Sequence, residues 1–351
     1  MFKKIVVGLM CISVVCTACG CNKKDVENTS KTSSLPVSSV INVSSENQSS
    51  SESSKIQSVA ESSSKQTSSV SKPKEVSSST IPASSKAVIP ASSTTVSTAP
   101  VVKRTDFGSM YTKDQLMALD NTSRGYAQGT NVDENNRPTT AMSIQNTYGK
   151  YNFNCIMPES KNIYLTFDLG YEYENLTLDI LKTLKEKNVK AIFFVTKSYC
   201  KNKWHDNTDF VRRILADGQI LGNHTLNHKN APDLSLEEMR EELMGMHDYI
   251  KTNFNYEMKF YRPPCGQYSE RSLALAQSFG YKTLNWSFAY YDYNTSNQPD
   301  PVTALDKMVK ALHPGGIYLL HAVSETNAKV LGEFIDKARA QGYTFSTDYS
   351  V

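Results

Sequence analysis

Asp168 ends the apolar run "NIYLTFD" and is followed by Leu169 and Gly170. A carboxylate at the end of a buried strand, just before a glycine turn, is well placed to act as a general base. In "NHTLNH", His224 and His228 are four residues apart, so two imidazoles can face one metal if the segment turns as a helix does. Thr225, Leu226 and Asn227 lie between them, so the glutamate of a HExxH motif is missing. Arg262 ends "KFYR", where it can hold Asp168 ionised and oriented or form an ordinary ion pair at a barrel rim. His321 ends "GIYLLH"; its imidazole suits proton donation to a leaving group near neutral pH, and the plainer reading is a satisfied core histidine. Asp292 is a candidate partner for His321. Trp286, Tyr290, Tyr291 and Tyr293 surround Asp292, either to stack on sugar rings or to fill space. His205, His247 and His313 are read as structural or surface histidines.

These residues need elements to position them, and from residue 159 the pattern is regular. Ile163 to Phe167, "VKAIFFV", "QILGNH", "KFYRPP", "YKTLNWS" and "GIYLLHA" read as buried strands. Between and after them, "ENLTLDILKTLKEKN", "TDFVRRILADG", "SLEEMREELMGMHDYIKTNF", "SERSLALAQSFG", "DPVTALDKMVKALHPGG" and "TNAKVLGEFIDKARAQG" have helical spacing. The third of these helices opens on a capping box, Ser235 with Glu238. Alternating strands and helices predict an α/β parallel sheet or barrel. In barrels the chemistry sits at the C-terminal strand ends, where Asp168, His224, Arg262, Trp286 and His321 all fall.

The whole chain has 351 residues and a formal net charge of +3, too near neutral to argue for a nucleic-acid partner. Residues 1–21 read as a secretion signal with Lys3 and Lys4 before an apolar core too short for a membrane span. The Cys-rich end of that segment resembles a bacterial lipoprotein signal with Cys19 as the lipidated residue; cleavage without lipidation is the alternative. A lipid anchor would place the protein on the extracellular face of the cell membrane, in the wall; without it the protein is secreted. Residues 22–103 are dominated by Ser and Thr and predict a disordered linker with a reach of about 50 Å. Residues 104–158 are mixed, with one helix expected in "TKDQLMALD", and are expected to pack as an extension on the main domain, 159–351. Cys155, Cys200 and Cys265 are scattered, without a disulfide framework or a structural zinc pattern. A monomer is expected.

"TFDLG", "HTLNH", "RPPCG", "WSFAYYD" and "LLH" lie in the order of the five motifs of the polysaccharide deacetylases, and the domain resembles that family of NodB-like carbohydrate esterases. "TFDLGYE" and "RPPCGQYSERSLAL" look closer still to its delta-lactam-forming branch, which acts on muramic acid in peptidoglycan. The resemblance implies a distorted (β/α) barrel of parallel strands. It implies that Asp168 activates water, that Arg262 positions this base and that His321, tuned by Asp292, is the acid. It also implies metal ligation by His224 and His228 and an oxyanion donor in the backbone N–H of Cys265, which replaces the family's aromatic there. Most members carry a second Asp at the position of Leu169 as a further ligand. A divalent metal such as zinc is therefore expected to bind weakly, with Glu172 as a candidate to reach in, or to be replaced by the two histidines as hydrogen-bond donors. The expected activity is de-N-acetylation of N-acetylmuramic acid in peptidoglycan, giving a free amine that can close to a delta-lactam. The alternatives are an N-acetylglucosamine deacetylase, an O-acetyl esterase and a glycan-binding wall lipoprotein without turnover.

Overall fold

The computed structural model describes residues 107–350. The signal, Cys19 and the Ser/Thr-rich linker lie outside the described residues. The strands are β1 (Arg124–Gly125), β2 (Phe153–Asn154), β3 (Asn162–Leu169), β4 (Ile192–Val195), β5 (Ile220–Asn223), β6 (Phe260–Tyr261), β7 (Gln267–Tyr268), β8 (Lys282–Leu284), β9 (Gly316–His321) and β10 (Thr344–Phe345). The helices are α1 (Lys113–Ala118), α2 (Thr139–Tyr148), α3 (Leu176–Glu186), α4 (Lys197–Cys200), α5 (Thr208–Ala216), α6 (Leu236–Phe254), α7 (Glu270–Ser278), α8 (Pro301–Lys310) and α9 (Glu325–Ala340).

The main sheet is parallel, in the order β10-β3-β4-β5-β6-β8-β2, with β9 on β3. Beyond β8 the chain reaches β9 through the parallel bridge Phe288–Tyr318, so the strands curl round into the expected distorted barrel. β3 is buried at every position but its first, as a parallel strand covered on both faces must be. Its side chains alternate. Ile163, Leu165, Phe167 and Leu169 join the main apolar cluster with residues of α3, α5, α6, α8 and α9. Tyr164 joins a second cluster, with Ile192, Phe194, Leu284 and Ile317, that contains no helix residue and fills the inside of the barrel. Asp168 lies on that inner side of β3, at its top.

The expected helices form, and their ends are set by local chemistry. Ser235 and Glu238 make the reciprocal capping box of α6, which stops at Asn255 in the left-handed conformation. Asp300 caps α8, with Pro301 in the first turn. Several short elements, among them β1, β7, β10 and α4, are not legible in the sequence, and neither are α2 and β2. α2 follows a loop without a side-chain cap, and β2 is only two residues long.

Residues ahead of β3 meet the barrel through backbone pairing. β2 extends the main sheet by pairing with β8, and β1 pairs antiparallel with β7. A third apolar cluster joins Leu116, Tyr126, Ala141, Tyr151 and Phe153 to Tyr268 and Leu273–Leu275 of the main domain. Cys155 and Cys200 are buried, Cys265 is exposed, and no disulfide joins them. Among the described residues, no helix is long and apolar enough to cross a membrane.

Candidate active site

Register brings the key groups together. Asp168 on β3 is the paired neighbour of His321 on β9. On the other side β3 pairs with β4, and the chain leaving β5 enters His224, whose N–H donates to Val195 O at 3.1 Å. Arg262 follows β6, and its N–H donates to Asn223 O at 3.0 Å.

Arg262 is fully buried. Its Nη1 donates to Asp168 Oδ1 at 2.8 Å, Nε to Leu284 O at 2.9 Å and Nη2 to Asn285 O at 3.1 Å. The guanidinium lies 4.3 Å from the centre of the Phe194 ring and 5.8 Å from that of Trp286. Gly222 makes room for Phe194: a Cβ at Gly222 would stand 2.4 Å from Phe194 Cδ1. The layers Gly222, Phe194, Arg262 and Asp168 thus fix the carboxylate in place. Burial works to raise the Asp168 pKa, but Arg262 first, then His224 and His321, outweigh it and hold the carboxyl below the usual range.

The two histidines converge. His228 Nε2 is 3.2 Å from His224 Nε2, and Asp168 Oδ2 is 3.6 Å from His224 Nε2. His224 Nδ1 lies 2.9 Å from Arg262 O, an acceptor only, so Nδ1 carries the proton and Nε2 presents a lone pair. Burial pushes the His224 pKa down, and burial with His224 alongside pushes His228 down to about 4. Both rings are therefore neutral at pH 7. This argues against His224 as a hydrogen-bond donor to an oxyanion.

The loop that presents them is held tightly. Thr225 (φ 69°) and His228 (φ 58°) both adopt left-handed backbone, a strained choice for the β-branched threonine. Thr225 N–H donates to Asn223 Oδ1, and His228 N–H to Thr225 Oγ1. Buried Glu242 of α6 accepts from Asn227 N at 2.7 Å and from Asn227 Nδ2 at 2.8 Å.

His321 is the other pole. Its Nδ1 is 2.7 Å from Asp292 Oδ1, and its backbone N–H donates to Asp292 Oδ2 at 2.8 Å. Asn327 Nδ2, in the first turn of α9, donates to the same Oδ2 and to His321 O, and Tyr290 O–H donates to Asn327. Burial works against a charged His321, but Asp292, by charge and by hydrogen bond, overrides it and raises the pKa above the ordinary value. With Nδ1–H bound to Asp292, Nε2 is the ring nitrogen left to give up a proton.

The remaining expectations divide. Tyr293 stands beside His321, ring centres 5.4 Å apart, and is half exposed; Tyr291 packs on it at 4.6 Å. Trp286 lies against Tyr126 and near Arg262. Cys265 has left-handed backbone (φ 54°) just after the proline pair that follows Arg262. Glu172 does not reach in towards the histidines as expected. Its carboxylate accepts from Thr177 N and Oγ1 at the start of α3 and from Tyr199 O–H, so it is committed there and not to the histidines. His313 is structural, buried and bonded to Ser287 Oγ, while His205 is exposed. Sequence reading missed Asn327, Glu242, Thr225, Tyr126 and Gln128. Only Thr225 carried a signal, as the hydroxyl inside the two-histidine motif.

The residues present fit a divalent ion as two ligands. An Nε2–Nε2 separation of 3.2 Å suits two imidazoles on one ion at ordinary bond lengths near 2.0–2.1 Å, and an Nδ1–H bound to a carbonyl is the usual support of a metal-ligating histidine. A third protein ligand does not come from Leu169, which is fully buried in the main apolar cluster. Among the described residues no group of three or more His, Cys, Asp or Glu side chains is arranged to hold a metal.

Residues 157–284 match the model of the polysaccharide deacetylases. The peptidoglycan-N-acetylmuramic acid deacetylase PdaA of Bacillus subtilis is 37% identical over 190 residues, 54% of this chain and 70% of that protein. A peptidoglycan-N-acetylglucosamine deacetylase of Bacillus cereus is 28% identical over 203 residues, 56% of this chain and 71% of the relative. The solved structure of B. subtilis PdaA, described as a family 4 carbohydrate esterase, superposes with a TM-score of 0.61 and 32% identity, covering 65% of this chain and 96% of that one. The chain belongs to the polysaccharide deacetylase family, a family of hydrolases of amide bonds.

Proposed function

We propose that this protein removes the acetyl group from N-acetylmuramic acid in peptidoglycan, at the bacterial surface. The observation that carries the proposal is the division of labour between two carboxylate-centred pairs on neighbouring strands. Arg262 favours the ionised form of Asp168, and Asp292 favours the protonated form of His321. Asp168 takes a proton from water as the water oxygen bonds to the acetamide carbon. The carbonyl electrons move to oxygen, and the backbone N–H of Cys265 donates to that oxyanion. The C–N bond then breaks, His321 Nε2 gives its proton to the departing nitrogen, and acetate and a free amine are released. Proton exchange with solvent restores Asp168 and His321. A divalent ion held by His224 and His228 would polarise the acetamide carbonyl. Trp286 and Tyr293 flank the sugar.

The preference for muramic acid rests on the greater identity to PdaA than to the glucosamine enzyme. A muramic amine on a sugar stripped of its peptide can attack its own lactyl carboxyl and close a delta-lactam. The lipid anchor at Cys19, the linker to residue 103 and the extension 104–158 are part of this reading: they tether the enzyme and let it reach the wall. Incubation with defined muropeptides, followed by mass spectrometry, tests the substrate. Loss of acetyl from muramic acid supports the proposal, and loss from glucosamine alone defeats it.

A further inference from the structure

We propose that Tyr126 and Gln128, which precede the barrel, are positioning residues of the glycan groove: they hold Trp286 and the loop that continues to Asp292 in their working place. The proposal rests on the reading of this groove as a sugar site. Pairing of Arg124 with Tyr268 and of Gly125 with Gln267 delivers the segment, and Tyr126 N–H then donates to Gly266 O at 3.1 Å. Three hydrogen bonds link the two side chains to the loop after β8. Tyr126 O–H donates to Trp286 O. Trp286 Nε1–H donates to Gln128 Oε1 at 3.0 Å, and Gln128 Nε2 donates to Ala289 O at 3.2 Å. The indole N–H is only a donor and a carbonyl only an acceptor, so the two bonds fix one orientation of the Gln128 amide and use both its ends. The indole ring is confined as well. The Tyr126 ring meets it edge-on, centres 5.1 Å apart and planes at 84°. Gly266 (φ 65°) lies against it, and a Cβ there would stand 2.9 Å from Trp286 Cη2. Arg262, the partner of Asp168, sits near the same ring. A segment outside the five motifs thus reaches the groove wall and the loop that carries the acid's partner.

The chain has two tryptophans, and Trp204 is 74% exposed on another loop, so Trp204→Phe leaves Trp286 as the sole indole reporter. In that full-length background, Gln128→Leu removes both amide bonds, and Tyr126→Phe removes one hydroxyl while keeping the packing. Trp286 emission is expected to move to longer wavelength in both. KM for an N-acetylated muropeptide is expected to rise about fivefold in Gln128→Leu, with kcat within about twofold. Gln128→Glu keeps the acceptor for Trp286 but sets a carboxylate oxygen against Ala289 O, so its KM is expected to rise as well. Unchanged emission in both variants overturns the brace. Shifted emission with unchanged KM overturns its role in the groove. If the parent releases no acetate, the functional proposal falls by itself; the emission arm still decides the brace, and the affinity read from quenching of Trp286 by the glycan replaces KM.

Discussion

Asp168 and Arg262 act as one unit, and so do His321 and Asp292. Asp168→Asn keeps the volume but cannot take a proton, so acetate release should fall by about a thousandfold or more. It also leaves the buried Arg262 guanidinium without its anion, so the variant should melt at lower temperature. For the acid, the pKa raised by Asp292 predicts that activity persists above the ordinary histidine value and falls as pH rises through the raised one. In Asp292→Asn the main opposition to the burial of His321 is lost, with Asp168 alone still raising the pKa, so the alkaline limb of the pH–rate profile should move to lower pH. An unmoved limb would assign it to another group. The sign is reversed for His228. Its folded pKa is near 4 against an ordinary 6.5, so its contribution to stability is present above 6.5 and is lost as pH falls towards 4. At pH 7 both imidazoles are neutral, and His224 Nε2 offers its lone pair. Treatment with a chelator should lower acetate release, and added divalent ions should restore it; unchanged activity would mean that Asp168 and His321 suffice.

At the level of elements, α6 acts on chemistry it does not touch. The Glu242 carboxylate is one clamp through which it holds the loop of His224 and His228, beside the bonds of Leu226 N to Glu242 O and of Asn223 Nδ2 to Leu243 O. Glu242→Ala would leave the Asn227 N–H without its partner and should cost about 2 kcal/mol, read by denaturant unfolding, with a loss of kcat. Ser235→Ala, at the cap of the same helix, should cost about 1 kcal/mol and leave kcat unchanged. The contrast separates holding the loop from holding the helix. The Ser235 cap was legible because its spacing to Glu238 is a local pattern. The Glu242 clamp was not, because nothing in "REELMGM" marks one glutamate as facing inward. The same limit misled the reading of Glu172. Its closeness to Asp168 in sequence suggested reach into the site, but the turn after Gly170 delivers it to Thr177 and Tyr199 instead.

At the level of the whole molecule, the barrel was readable because buried parallel strands are apolar runs and its helices have periodic sequences, one of them opening on a recognisable capping box. Strand ends then placed Asp168, Arg262 and His321 before any contact was known. What stayed hidden depends on contacts distant in sequence: β2 on β8, β1 on β7, Asn327 on Asp292, and Gln128 on Trp286. Tyr126 and Gln128 lie in a stretch that reads as loop, and the pairing of β1 with β7 brings them to Trp286. These contacts divide the chain by function. A chain beginning at residue 104 should retain full acetate release from soluble muropeptides. Removal of residues 107–158 would strip β2 from β8 and uncover the third apolar cluster, and should give insoluble protein. Soluble, active protein from the second deletion would contradict this division.

The most direct measurement is mass spectrometry of a defined N-acetylated muropeptide after incubation with the wild-type chain and with Asp168→Asn. The account predicts that the wild type removes the acetyl group from muramic acid, with one acetate released per amine formed, and that the variant leaves the muropeptide intact. Equal acetyl loss with both proteins, or none with either, would contradict it.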